Sequence, residues 1–508
     1  MATIVTFYNL SVSIKTDNAN FSFALKDFIF KYYTSKNLKF IGKNKVSDYK
    51  MYYSKLKNHN VFFFHTRQFI HLWNYLKTNN IIIPQITKID KREYNIEKVD
   101  YKVKENWKLR EDQQPVFDFI LNHNNESVLI PLPTGSGKTV ISLMSLAAIK
   151  NKIGIIILPI YIDKWVNDIL NIFKISINDI LVVQGSKSLK TLIELAKTES
   201  LDSKIIIFSS RTLQEFITYY EEKPEEVIEL YGIEPIELFP LLNLGSLLID
   251  EQHQHFHAIF KILLHCNVKF HLALTATLLS DDYVVKRMHN IVFKKENIYN
   301  NIKLSKYIDV YAVHYSINPN FLKFIKTTNY GSSNYSHIAF EQSIVKKDFL
   351  LEKYINLILN TIDDYYIEDY KEDDKLLIFV STVNFATILV EKIKNHIPEL
   401  IVNRYCQEDS YENLISSHII VSTIISAGTA VDIPNLRVVI QTVSISSSVS
   451  NIQTLGRLRK LNNKRDVKFI YLYSGNISKQ KEYHLKRMDM FKERVATISL
   501  RSSRINLN

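Results

Sequence analysis

Residues 128–139 read Val128-Leu129-Ile130-Pro131-Leu132-Pro133-Thr134-Gly135-Ser136-Gly137-Lys138-Thr139, and the apolar run VISLMSLAAI follows them to Ile149. Val128–Ile130 is a short apolar segment of the kind that forms a buried strand, and Val140–Ile149 has the length and composition of a helix. Strand, glycine-rich turn and helix in that order make a phosphate cradle. The glycines let backbone N–H groups approach the phosphates, and the helix N-terminus adds its dipole. Thr134, Gly135, Ser136 and Gly137 form the wall of that cradle. Lys138 is spaced to reach the β- and γ-phosphates of ATP, and Thr139 to offer its hydroxyl to Mg²⁺. The full pattern G-x-x-x-x-G-K-[ST] is not met, because Leu132 stands where the first glycine would be.

Working outward, further short apolar runs alternate with helical segments: Ile153–Leu158, Ile205–Phe208, Leu247–Ile249 and Phe270–Leu274. Such strands, apolar on both faces and separated by helices, predict a parallel α/β sheet. A second series begins after about residue 305, with Leu376–Val380, Ile419–Val421, Val438–Gln441 and Val467–Tyr473. The predicted fold class is therefore α/β, with two tandem parallel-sheet lobes at 107–305 and 306–475. Residues 1–85 read as a small α+β domain with helices at Phe21–Tyr33 and Gln68–Lys77. Residues 86–106 read as a charged linker, and 476–508 as a basic C-terminal helix carrying Leu485, Met488, Phe491 and Val495 on one side. Ile70, Trp73 and Leu76 are expected to point inward. The Glu-rich stretch Tyr219–Phe239 reads as a solvated surface insertion.

The apolar strand 247–249 ends in Asp250-Glu251-Gln252-His253. Asp250, at a strand's C-terminal end, is placed to hold Mg²⁺ through water. Glu251 is placed to orient the attacking water as a base. His253 would sense the γ-phosphate and link it to the next strand. His255, His257 and His265 lie close in sequence, but no Cys or carboxylate set completes a zinc shell, and they are expected to be ordinary core or surface histidines.

Charge narrows the partner. The chain has 64 Lys+Arg against 52 Asp+Glu, a net +12. Residues 1–106 carry 18 against 8 (+10), residues 456–508 carry 14 against 4 (+10), and the middle 32 against 40 (−8). Two basic ends predict a polyanionic partner. Phe62, Phe63, Phe64 and Arg67 are candidates for stacking on bases, although a core aromatic cluster is the favoured reading. The two cysteines, Cys266 and Cys406, are far apart and suit neither a disulfide framework nor a CxxC metal site. No run approaches the roughly 20 apolar residues that span a bilayer, so a cytoplasmic protein without a membrane partner is expected.

The order of motifs resembles the superfamily 2 helicases of DEAD/DEAH-like type. Leu109-Arg110-Glu111-Asp112-Gln113 is similar to their Q motif, which implies that Gln113 reads adenine. Ile155–Trp165 (IIILPIYIDKW) and Phe208–Leu213 (FSSRTL) resemble the loops that grip a nucleic-acid backbone, which implies contacts from Pro159, Trp165, Arg211 and Thr212. Thr275-Ala276-Thr277 resembles motif III, with Thr275 and Thr277 coupling hydrolysis to strand movement. Leu377–Asn384 looks like motif IV. Ser426–Pro434 (SAGTAVDIP) looks like motif V, with Gly428 and Asp432 toward the nucleotide and Thr429 toward the nucleic acid. Gln453–Lys460 (QTLGRLRK) looks like motif VI. Gln453 and Arg457 would then complete the catalytic site, with Arg457 as the arginine finger. Lys460 occupies the second finger position with Arg459 one residue early, and a lysine lacks the planar fork.

The N-terminal order of strand, helix, ribbon and helix, with the basic tail, is similar to the bacteriophage UvsW type of recombination helicase. That resemblance implies two RecA-like lobes and an ATP- and Mg²⁺-dependent helicase, acting on branched DNA such as recombination intermediates, stalled forks or R-loops. It also implies a monomer in the host-cell cytoplasm. A poxvirus-like transcript-release helicase and a translocase subunit of a nuclease or modification complex are the alternatives.

Overall fold

A computed structural model describes residues 3–41, 44–133, 135–252, 255–276, 283–301, 306–328, 334–406, 409–427, 433–461 and 465–508. The chain forms two compact units, residues 1–39 with 45–302, and residues 303–508 with 40–44.

The first unit begins with strands β1 (Thr3–Phe7), β2 (Ser11–Thr16), β3 (Thr34–Ile41), β4 (Asn44–Met51), β5 (Ser54–Lys55), β6 (Val61–His65) and β7 (Ile86–Asp90). β3 and β4 pair as a ribbon, and the others form a sheet in the order β5-β6-β2-β1-β7. Two helices, Ala19–Tyr33 and Thr66–Thr78, accompany the sheet. Both start on side-chain caps. Asn18 accepts from the Phe21 N–H, and His65 and Gln68 form a reciprocal capping box.

In the first helix Leu25 and Phe28 are buried, whereas Phe23 is 73% and Phe30 63% exposed. The second helix departs from the sequence reading at Ile70. Gln68, Leu72 and Leu76 form the inward face of the second helix, and Ile70 is exposed. Phe62, Phe63 and Phe64 are all buried, so they cannot stack on bases.

The boundary read at residue 85 falls one strand early. β7 pairs parallel with β1 and completes the sheet. The rest of the expected linker is fastened down: Lys98 and Val103 make β-bridges to Asn151 and Phe173, and the Tyr101 hydroxyl donates to the Lys204 carbonyl at 2.8 Å.

β8 (Ser127–Pro131), β9 (Ile153–Ile157), β10 (Ile180–Val183), β11 (Ile205–Ser209), β12 (Ser246–Ile249) and β13 (Phe270–Thr275) form an all-parallel sheet in the order β10-β11-β9-β12-β13-β8. The N-terminal domain packs directly on this lobe. The Tyr52 ring meets Phe260 edge-on at 5.4 Å, the Phe63 ring lies 4.5 Å from His265, and Arg67 donates to the Asn290 carbonyl at 2.6 Å. The expected acidic insertion is a set of packed helices with Tyr220, Val227 and Tyr231 inward, and Glu222, Glu225, Glu226 and Glu229 facing solvent.

Three histidines of this unit, His65, His265 and His271, are buried, and burial pushes each down to about 3, with Arg67, Lys261 and His65 respectively adding to the shift. Between pH 6.5 and 3 the unfolded chain therefore binds protons that the folded chain refuses. Stability is complete above about pH 6.5 and is lost as pH falls through that window, by about 1.4 kcal/mol per pH unit for each histidine. Urea unfolding at pH 7.5 and 5.5 is expected to show a first transition weakened by about 4 kcal/mol at the lower pH. Equal midpoints would contradict the neutral burial of these rings.

The second unit holds β14 (Ile308–Tyr315), β15 (Lys375–Val380), β16 (Val402–Tyr405), β17 (Ile419–Thr423), β18 (Leu436–Gln441), β19 (Val467–Ser474) and β20 (Thr497–Ser502). They form a second parallel sheet in the order β16-β17-β15-β18-β19-β14-β20. The fold is thus two tandem RecA-like lobes with an N-terminal α+β domain.

The C-terminal helix is shorter than expected. It runs Ser478–Phe491, and the chain then adds β20 to the edge of the sheet beside β14. Its buried face is Gln480, His484, Arg487 and Phe491, while Leu485 points to solvent.

Candidate nucleotide site

Three neighbouring strands, β12, β13 and β8, deliver the expected residues of the first lobe to one edge of the sheet. Pro131 pairs with Thr275 and Ile249 with Ala273, so the loops that follow leave from the same side. The C-terminal edge of an open parallel sheet is where ligands of such folds bind.

In the loop after β8, Gly135 and Gly137 take φ of 81° and 83°. That left-handed backbone costs a glycine little. Gly137 also has no room for a side chain, since a Cβ there would lie 2.3 Å from the Gln113 amide nitrogen. The helix Lys138–Ile149 starts on Gly137, with Lys138 and Thr139 in its first turn. Lys138 Nζ donates to the Leu132 carbonyl at 3.0 Å and lies 3.9 Å from Glu251 Oε1.

Gln113 is buried beneath this loop. Its amide nitrogen donates to the Ser136 carbonyl at 3.0 Å, as does Arg110 at 2.9 Å, and its Oε1 accepts the Arg110 N–H. The residue expected to read adenine therefore braces the loop after β8.

After β12, Asp250 has both carboxylate oxygens engaged. Oδ2 accepts the Trp165 indole N–H at 3.0 Å, and Oδ1 accepts the Glu251 backbone N–H at 2.9 Å. Burial holds its pKa above the usual carboxylate range, and the neighbouring Glu251 adds to this; Lys138 and the Trp165 bond oppose it. Glu251 sits at φ 47°, an uncommon conformation for a residue with a Cβ. A buried carboxylate held above its ordinary pKa beside a second acid, next to a helix N-terminus, suits a divalent cation bridging to phosphate.

Two residues expected on nucleic acid do other work. Trp165 is fully buried because Ile162, Trp165, Ile169 and Ile172 form the inner stripe of the helix Ile162–Ile172, and its indole positions Asp250. Thr212 is buried and accepts the Gly185 N–H at 2.7 Å. Pro159 and Arg211 do face an open cavity of about 710 Å³, which Asp250, Glu251 and Gln214 also line. Arg211 is exposed and pairs with Glu215 at 2.9 Å. Thr275 is buried at the end of β13. Thr134, His253, Thr277, Gly428, Thr429 and Asp432 lie outside the described residues.

In the second lobe, Gln453 lies on the helix Ser448–Leu455 and Arg457 just beyond it; both are 7% exposed. Arg457 Nε donates to the Gln453 carbonyl at 3.3 Å, whereas Arg459 is exposed. A residue that the motifs did not indicate supports this helix. Arg487 is buried over the Tyr471 ring at 4.4 Å and donates to Asn451 Oδ1 at 2.8 Å and to the Val443 carbonyl. Burial lowers its pKa to about 10. Glu341 was equally unforeseen. Its buried carboxylate accepts the Ser381 N–H at 2.8 Å and the Thr382 hydroxyl at 2.6 Å in the loop after β15, and burial raises its pKa to about 7. Among the described residues no His, Cys, Asp and Glu cluster forms a metal shell. His265 instead meets the Ser54 hydroxyl at 2.8 Å. No described helix is long and apolar enough to cross a membrane.

No curated protein matches the chain. Among solved structures it is similar to *Saccharomyces cerevisiae* Dbp5 bound to RNA and ADP BeF3, at 12% identity over 77% of this chain and 90% of that one, with a TM-score of 0.49. It is similar to the *Pyrococcus furiosus* Hef helicase domain at 15% identity over 74% and 98%, with a TM-score of 0.44. It is also similar to Mss116p bound to ssRNA and AMP-PNP, at 17% identity over 77% and 74%, with a TM-score of 0.47. Residues 88–280 match the family described as type III restriction enzyme, res subunit. Over that stretch, which contains every first-lobe residue of the site, the chain is similar to this family.

Proposed function

We propose that this chain is an ATP-dependent nucleic-acid helicase or translocase of the superfamily 2 type, acting on branched DNA. The observation that carries the reading is the convergence of Lys138, Asp250 and Glu251 beyond the C-terminal ends of β8 and β12, the two strands that flank β13, with the loop after β8 braced by Gln113 and Arg110. Lys138 holds the β- and γ-phosphates of ATP. Thr139 and Asp250 would hold Mg²⁺, and the cation when bound would neutralise charge on the transferred phosphoryl group. Glu251 orients the attacking water and takes its proton. The motif resemblance assigns Gln453 and Arg457 of the second lobe to ATP hydrolysis, and Pro159 and Arg211 to the nucleic-acid backbone. The two basic ends favour a polyanion, and the order of elements in residues 1–85 favours branched DNA.

A second reading, a translocase subunit that drives a separate nuclease or modification partner, is favoured by the family matched over residues 88–280. Affinity capture of the tagged chain with a nuclease or methyltransferase would support it.

ATP hydrolysis should be measured with single-stranded, duplex, forked, four-way and R-loop nucleic acids. The expected result is stimulation by nucleic acid, strongest with the branched forms and weaker as salt rises. Equal stimulation by every form would remove the branched-DNA reading, and no stimulation at all would sink the motor.

A further inference from the structure

We infer that a groove on the N-terminal domain, walled by Trp73 and Phe69, takes an unpaired nucleobase of a single strand. The inference rests on the nucleic-acid reading above. The groove has a volume of about 260 Å³ and lies between the helix Thr66–Thr78 and the β1/β7 side of the sheet. Val5, Phe7, Ile70, Asn74, Ile86 and Lys88 complete its lining. Its aromatics form a continuous series: Phe7 meets Phe69 edge-on at 5.7 Å, and Phe69 meets Trp73 at 5.8 Å with 34° between the rings. These rings are only half-buried, and Ile70 is 54% exposed.

The charge of the domain selects the occupant. Residues 1–90 carry 13 Lys+Arg against 4 Asp+Glu, a net +9. Lys88 brings one of those charges to the groove itself, where it is exposed. An aromatic wall with Lys88 in the same lining matches a base joined to a phosphate, and stacking on one ring face tolerates any base. An apolar peptide would match the wall but not the charge. Phe62, Phe63 and Phe64, the aromatics that the sequence offered for stacking, are buried, whereas Trp73 is within reach of solvent.

The test uses the full chain and an oligodeoxythymidylate of about 20 residues, with binding followed by anisotropy. Trp73→Leu keeps an apolar wall and removes the aromatic face, and is expected to weaken binding by roughly 5- to 150-fold. Trp73→Phe is expected to stay within a few-fold of wild type. Lys88→Gln is expected to reduce the salt slope by about 0.7. Saturating oligonucleotide should quench wild-type tryptophan emission, and the Trp73→Phe chain should lose that component. Hydrolysis of ATP without nucleic acid should be unchanged in all three.

Wild-type affinity in a folded Trp73→Leu chain, or Trp73 emission unmoved at saturation, overturns the groove assignment while leaving the motor intact. Failure of the wild-type chain to bind any nucleic acid overturns both.

Discussion

Glu251→Gln is expected to lower ATP hydrolysis by about 10²- to 10⁴-fold while leaving ATP bound, the range for loss of a positioned general base. The amide keeps the size of the side chain and removes the proton acceptor. It leaves in place the backbone N–H that Glu251 donates to Asp250, so the Asp250 carboxylate stays oriented. Lys138→Ala should fail earlier, in nucleotide affinity, because Lys138 sits in the first turn of the helix Lys138–Ile149 and is the residue proposed to hold the phosphates. Fluorescent-nucleotide binding and single-turnover hydrolysis separate the two effects. If Glu251→Gln turned ATP over at the wild-type rate, the base would have to be sought elsewhere. If Lys138→Ala bound ATP normally, the loop after β8 would not be the phosphate site.

The sequence was most readable where one physical demand dominated. β9 is buried along its whole length, so its run of isoleucines could signal only a central strand. The left-handed turns at Gly135 and Gly137 likewise leave little choice of residue. Strands with mixed patterns were harder to see. β14 interleaves Asp309, Tyr311 and His314 with its buried positions, and β20 lies in a basic tail that reads as helix. Trp165 was assigned by its motif, although the spacing Ile162, Trp165, Ile169, Ile172 already marked it as inward. Arg487 and Glu341 carried no such mark. A buried charge is announced by its partners, here Asn451 and Val443 for one and Ser381 and Thr382 for the other, and those come together only through the tertiary fold. Phe63 was legible as core, but not its partner there, His265, which lies far along the chain.

Arg457→Ala is expected to reduce the hydrolysis rate by about 10³- to 10⁵-fold, the range measured for arginine fingers, with a much smaller change in ATP affinity. The burial of Arg457 and its bond to the Gln453 carbonyl fix this guanidinium to the end of its helix, whereas Arg459 is exposed. Arg459→Ala should therefore cost far less. Arg457→Lys should remain close to the alanine variant, since an ammonium group keeps the charge but lacks the planar fork. The helix itself is tied down by Asn451, which Arg487 holds from the C-terminal helix. That buried bond ties the helix Ser448–Leu455, which leads into Arg457, to the C-terminal helix. Steady-state kinetics of the three variants decide the assignment. A larger defect in Arg459→Ala than in Arg457→Ala would transfer the finger role to Arg459, and full activity in both would leave the second lobe without a part in hydrolysis.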